Sequence, residues 1–290
     1  MSHSRDAHQE LASTYFVQDR SNKEDLCRLH IQDHLVTAGM GGVLPEQPDP
    51  TIFERVLDVG CGPGGWLIEA AKTYPRMKLL VGMDISDKML QAARSQAAAQ
   101  QMSDRVQFHT MDAFKMLEFP SGGFDLVNQR FGMSWVRTWD WPKLLGEYQR
   151  VSRPGGVIRI TESDVDEGSY PALNRLSHLL LQTFYQAGHF FTPDSQGLTS
   201  QLAPLLCQYG LRNVQTQVSR MHYRAGTAQW QSMYEELRRL FRVAVPFMRK
   251  WTHVPEDYEE IYQQAMSEMQ QPDFVGTWTL LTAWGNTPSL

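Results

Sequence analysis

The stretch that most constrains this chain is Val56 to Trp66, VLDVGCGPGGW. Val56, Leu57 and Val59 are strand formers and Trp66-Leu67-Ile68-Glu69-Ala70-Ala71 is a helical start, so a buried strand, a glycine turn and a helix follow in immediate succession. Such a turn binds a ligand by its backbone. Gly60, Gly62 and Gly64 carry no side chain to hold a ligand off, and the helix that follows offers unpaired N–H groups. Cys61 lies inside the turn, where a small side chain fits beside a ligand and packing is expected rather than nucleophilic chemistry.

Gly60, Gly62 and Gly65 also satisfy the G-x-G-x-x-G spacing of dinucleotide sites, so a nicotinamide or flavin competes with a mononucleoside-like cofactor. Three residues separate the two. Asp58, at the strand end, would repel a pyrophosphate and suit an ammonium or another donor. Pro63 has no N–H to give a phosphate. Asp84 closes the next expected strand, LLVGMD, where an acid can accept hydrogen bonds from both hydroxyls of a ribose. With these residues the stretch resembles motif I of the class I S-adenosylmethionine-dependent methyltransferases: a strand, an acid, then G-x-G-x-G.

Further motifs follow in the order that this resemblance implies. Met111-Asp112-Ala113 stands after a third strand, Val106–His109, where the family holds the adenine amine and ring. F-D-L-V at Phe124–Val127 opens a fourth strand, and Arg153-Pro154-Gly155-Gly156 is a turn into a fifth, VIRITE. The fold implied is α/β: a Rossmann-like, doubly wound, seven-stranded and mostly parallel sheet with an antiparallel last strand, plus N-terminal and inserted cap helices. Around S-adenosylmethionine, with S-adenosylhomocysteine as product, the resemblance places Tyr15, Asp58, Gly60, Cys61, Gly62, Gly64, Asp84, Ile85, Met89, Asp112, Ala113 and Asn128. Tyr15 is expected either to donate to the methionine carboxylate or only to pack.

The flanks are read from pattern. Residues 1 to about 12 are expected to be mobile, and Ser21 with Glu24 forms a capping box for a helix to about Thr37, whose Leu26 and Leu29 face the main domain. Helices are expected from Trp66 to about Tyr74, after Ser86 or Asp87, from Trp141 to Val151, from Tyr170 to about Phe191 and from Gly197 to Tyr209, then a sixth strand over Leu211–Arg220 and a final one over Val275–Trp284. The implied organisation is a segment 1–50 over the cofactor, a core of 51–220 and 272–290 with a helical addition at about 170–192, and a cap at 221–271. In the cap, Trp230, Met233, Tyr234, Leu237, Leu240 and Phe241 form one apolar stripe.

The segment Asn128-Gln129-Arg130-Phe131-Gly132-Met133 is not the N/D-P-P-Y/F of base and glutamine N-methyltransferases, and is similar to that of the quinone and natural-product group. A small, largely apolar or aromatic acceptor is therefore implied, with methylation of protein or RNA, or cofactor binding without chemistry, as alternatives. A nucleic-acid partner lacks its electrostatic footprint: 27 Lys+Arg stand against 32 Asp+Glu, a net charge of −5, with no basic cluster beyond pairs such as Arg238-Arg239. Cys27, Cys61 and Cys207 offer neither a disulfide framework nor a zinc spacing, and no metal is expected. Without a signal-like N-terminus or an apolar run of about 18 residues, a cytoplasmic protein away from membranes is the default, its oligomeric state open. His189, Glu162 and His222 are the candidates for removing a proton from the acceptor, each with a structural role as the plainer alternative.

Overall fold

The computed structural model describes residues 14–17, 22–165 and 170–289. The expectations for residues 1 to about 12 and for Ser21 lie outside them. Five parallel strands form the centre: β1 (Arg55–Val59), β2 (Leu79–Asp84), β3 (Val106–Thr110), β4 (Phe124–Arg130) and β5 (Ser152–Ser163). With β6 (Arg212–Arg224) and β7 (Val275–Asn286) the order is β3-β2-β1-β4-β5-β7-β6, and β7 runs antiparallel to both neighbours. This is the implied seven-stranded, doubly wound sheet. From β1 the chain winds outward to β3, then returns to β4 on the other side, so a crevice opens at the carboxyl ends of β1 and β4.

Alternation along β1 builds the two faces. Val56 points to the side where α2 (Gly65–Thr73) and α3 (Asp87–Ala99) pack with Trp66, Leu67, Leu90 and Ala93. Leu57 and Val59 point to the other, against Trp141, Leu144 and Tyr148 of α4 (Trp141–Val151). Buried on both sides, β1 is apolar at Val56, Leu57 and Val59, with Arg55 exposed at its start and Asp58 buried near its end. Ser86 caps α3 by accepting from Met89 N–H, and the buried face is Met89, Leu90, Ala93 and Ala97, as the spacing implies.

The helix expected to run to about Phe191 ends at Gln186, and two strand boundaries also differ from expectation. Ser152 already pairs with Phe124 and Val157 pairs with Leu126, so Arg153–Gly156 is an irregular excursion inside β5 rather than a turn ahead of it. The sixth strand runs on to Arg224, because β7 pairs with it as far as Val275, and the cap helices start after it. Asn22 caps α1 (Lys23–Gly39) by accepting from Glu24 and Asp25 N–H. The buried face of α1 includes Asp25 and Arg28, whereas Leu26 and Leu29 are only half-buried.

The remaining helices are α5 (Pro171–Gln186), α6 (Thr199–Gln208), α7 (Ala228–Val243), α8 (Val245–Trp251) and α9 (Tyr258–Glu268). Leu35, Val36 and Met40 of α1 share an apolar cluster with Met233 of α7 and with Met221, Tyr223 and Leu280 of the sheet. That cluster seats α1 and α7 together over the strand ends. Gly39 has no room for a side chain there, since a Cβ would run into the Met221 thioether.

Candidate active site

At the end of β1 the chain turns through Gly60, Cys61 and Gly62 and enters α2. Cys61 N–H donates to the Met83 carbonyl at 2.9 Å and Gly62 N–H to Asp84 Oδ2 at 3.0 Å, while Asp84 Oδ1 accepts from Ser86 N–H at 2.8 Å. Asp84 thus ties the glycine turn to the end of β2. The glycines divide in role. A Cβ at Gly62 would meet nothing, so that position stays open; one at Gly60 would press on Trp135, and one at Gly64 would strike Phe108 and Ala93 at 2.8 and 2.9 Å. Gly64 therefore serves packing between the turn and β3, not access to a ligand, and it is not part of the cavity wall.

Asp58 is buried and accepts from Asn128 Nδ2 at 2.7 Å; Asn128 Oδ1 accepts from Arg159 at 2.8 Å, and Arg159 pairs with Glu46 at 2.8 Å. Burial pushes the Asp58 carboxyl up to about 7, against the lowering pull of Arg130 and Asn128. Asn128 itself is sealed behind Asp58, outside the cavity wall, and its side chain orients Asp58. Asp112 accepts from Phe114 N–H at 2.9 Å. Across the turn, Asp33 of α1 pairs with Arg130 and lies against Gly65, where any side chain would collide with its carboxylate.

A cavity of about 370 Å³ joins these groups. Asp58, Gly60, Cys61, Gly62, Asp84, Ile85, Met89, Asp112 and Ala113 line one end. Trp135 lies against Gly60, and Phe131 and Met133 after β4, Leu173, Leu180 and Phe184 of α5, Met233, Leu237, Leu240 and Phe241 of α7, and Trp278 of β7 line the rest. Tyr15 also reaches the wall, with its hydroxyl donating to Asp25 and accepting from Arg28 at 3.0 Å each.

None of the three expected bases stands in that wall. Glu162 is sealed, and its carboxylate accepts from Gly132 N–H at 2.7 Å, Met133 N–H at 3.0 Å and Gln129 Nε2 at 3.3 Å. It holds the turn that follows Phe131, whose backbone is left-handed at φ 54°, and burial raises its carboxyl to about 8. His189 is buried among Phe184 and Phe247, its ring nitrogens make no well-formed hydrogen bond among the described residues, and burial, with Arg137, lowers it to about 4. His222 is exposed on β6 beside Thr277. The residues unforeseen from the sequence include Arg28, Gln32, Arg130 and Glu236. Asp25 and Arg28, three apart on one helix, carried a signal of pairing; Glu236, on a distant helix, carried none.

Three acids at successive strand ends, an open Gly62 and apolar Ile85 and Met89 between them match the ribose, cationic centre and flat base of S-adenosylmethionine. Residues 56–156 match the family described as a methyltransferase domain. A demethylmenaquinone methyltransferase of Lactiplantibacillus plantarum is 30% identical over 174 residues, 56% of this chain and 72% of that protein. A probable methyltransferase, ltbC, of Aspergillus luteorubrus is 25% identical over 240 residues, 78% of this chain and 81% of its own. Among solved structures, Haemonchus contortus phosphoethanolamine N-methyltransferase 2, in complex with phosphomonomethylethanolamine and S-adenosylhomocysteine, shares the fold with a TM-score of 0.57 at 18% identity, covering 96% of this chain and 61% of that one. The chain belongs to the class I S-adenosylmethionine-dependent methyltransferases of small-molecule type, and S-adenosylmethionine is its cofactor.

Proposed function

We propose that the enzyme methylates a small, largely apolar or aromatic acceptor held against the cap helices. The observation that carries this reading is one continuous cavity running from the strand-end acids to a wall of Phe131, Leu180, Phe184, Leu240, Phe241 and Trp278. When bound, S-adenosylmethionine supplies an activated methyl group on a positively charged sulfur. Asp84 would accept from its ribose hydroxyls, Asp112 and the Ala113 N–H would hold the adenine beside Ile85 and Met89, and Asp58 would take the amino group. Tyr15 buttresses Arg28 and is not needed as a carboxylate donor.

The chain's own contribution is to align the acceptor and keep water out. Orientation is worth about 7–11 kcal/mol of a barrier, enough that no acid or base is required of it. Ring faces of Phe131 and Trp135 suit a neighbouring positive charge. An apolar wall covered by α5 and α7 supports a small molecule over a protein or RNA, which would call for an open basic groove. Incubation with S-adenosylmethionine and a panel of phenols, quinones, indoles and amines should add one CH2 to at least one member by mass spectrometry. No gain in any of them, with S-adenosylmethionine binding intact by calorimetry, overturns the reading.

A further inference from the structure

On the acceptor side, side chains from three separate parts of the chain meet in one polar cluster at the cavity wall. Arg28 Nε donates to Asp25 Oδ1 at 2.9 Å, its NH2 to the Tyr15 hydroxyl at 3.0 Å and its NH1 to Glu236 Oε1 at 3.1 Å; Gln32 Nε2 donates to the same Oε1 at 3.3 Å. Asp25, Arg28 and Glu236 are at most 2% exposed. Both Asp25 oxygens are occupied, the second by the Tyr15 hydroxyl. The two oxygens of Glu236 differ. Oε1 takes both available hydrogen bonds, and Oε2 takes none from the described residues, yet it is not among the sealed orphan atoms of the core and its residue lines the cavity. A carboxylate oxygen at a dry wall is costly unless something in the cavity completes it.

Pairing with Arg28 does not by itself account for Glu236, because Asp25 already neutralises that guanidinium. The second carboxyl is left without a cation of its own on a mostly apolar wall, where burial raises it and Arg28 pulls it down. Among the described residues the cavity's two arginines are both engaged, Arg28 in this cluster and Arg130 by Asp33, while Asp58, Asp84, Asp112, Asp164 and Glu236 add acids. An anionic acceptor finds no uncommitted cation among the described residues.

We propose that Glu236 Oε2 is the subsite that receives the acceptor's O–H or N–H, which makes the acceptor a neutral hydroxyl-bearing or an amine-bearing apolar molecule in preference to a carboxylate or phosphate. This rests on the reading of the apolar end as the acceptor chamber. Gln at this position keeps an oxygen for Arg28 and puts an amide N–H2 where Oε2 stood, so it turns an acceptor of hydrogen bonds into a donor without emptying the site.

The test is binding of three probes of one shape to the full chain, 2-naphthol, 2-methoxynaphthalene and 2-naphthoate, read by calorimetry or by quenching of Trp135 and Trp278. The wild type should bind 2-naphthol roughly tenfold more tightly than the ether, the return of one charge-assisted hydrogen bond, and 2-naphthoate most weakly. Glu236→Gln should bring naphthol and ether together and strengthen naphthoate, with S-adenosylmethionine affinity unchanged. Equal binding of all three probes by the wild type, which requires no variant, overturns the proposal. So does an unchanged order in the folded variant, or cofactor binding with no probe bound. Failure of the wild type to bind S-adenosylmethionine takes down the cofactor reading and this one with it.

Discussion

The two ends of the cavity are built by different rules. At the cofactor end, Asp58, Gly62, Asp84 and Asp112 each stand at or just past the end of a parallel strand, and the strands are adjacent in the sheet. The winding of the chain delivers them in sequence order to one edge. At the acceptor end, the wall collects Tyr15, Arg28, Phe131, Leu180, Glu236 and Trp278 from segments that meet only because α1, α5 and α7 pack across the strand ends. Local succession produces the first and long-range docking the second. A turn can therefore declare the methyl donor while the acceptor depends on the seating of helices around it.

The sharpest way to break this comparison is to unseat the docking. Arg28→Ala removes hydrogen bonds to Tyr15, Asp25 and Glu236 and leaves two buried carboxylates without their cation. The expected loss is about 3–5 kcal/mol of folding stability, measured by urea unfolding. A loss below about 1 kcal/mol would mean that α1 and α7 are held by their apolar cluster alone. At the other end, Asp84→Ala frees Gly62 and Ser86 N–H and should weaken S-adenosylmethionine binding about a hundredfold by calorimetry. Leu240→Ala, on the acceptor wall, should leave that affinity within about twofold, as distant independent sites do.

The same division explains what was legible. The helices of the core follow from periodicity, while the strand order and the places of Asp58, Asp84 and Asp112 were implied by the family resemblance that the motifs carry. Glu162 occupies a comparable place, yet its carboxylate faces the Gly132 and Met133 N–H groups, because Phe131 turns left-handed and folds the chain back over it. An acid at a strand end reads the same whether it meets a ligand or its own backbone. The Asn128 side chain likewise meets the protein, since alternation along β4 turns it onto Asp58. In α1 the buried face includes polar residues, so apolar spacing pointed to Leu26 and Leu29 and passed over Arg28. Nothing in the spacing of either helix could announce that Arg28 would meet Glu236.

Asp58 makes the cofactor end pH-sensitive. Its carboxyl stands near 7 in the fold and near 3.8 in a solvated chain, so between those values the native state holds more protons than the unfolded one. Its contribution is fully present below about pH 4 and is lost as pH rises through 7, by at most roughly 1.4 kcal/mol per pH unit. Glu162, raised to about 8, acts with the same sign. Urea unfolding across pH 4 to 7 should give a shallower slope for Asp58→Asn than for the wild type. An identical slope would show that the carboxyl is already ionised in the ligand-free protein.

The smallest effect is expected at His222. Met221 and Tyr223 face the interior and are buried, so the period of two along β6 turns His222 outward, where Nδ1 lies 3.1 Å from the Thr277 hydroxyl. Thr277 belongs to the cavity wall, so His222 touches the rim from its solvent side. His222→Ala should change stability by no more than about 0.5 kcal/mol and leave turnover unaltered once an acceptor is in hand. A fall in kcat at constant S-adenosylmethionine affinity would mean that the acceptor end extends past Thr277 to the outer side of β6. The wall of α5 and α7 would then be a support rather than the chamber, and the contrast between the two ends of the cavity would have to be redrawn with the sheet supplying both.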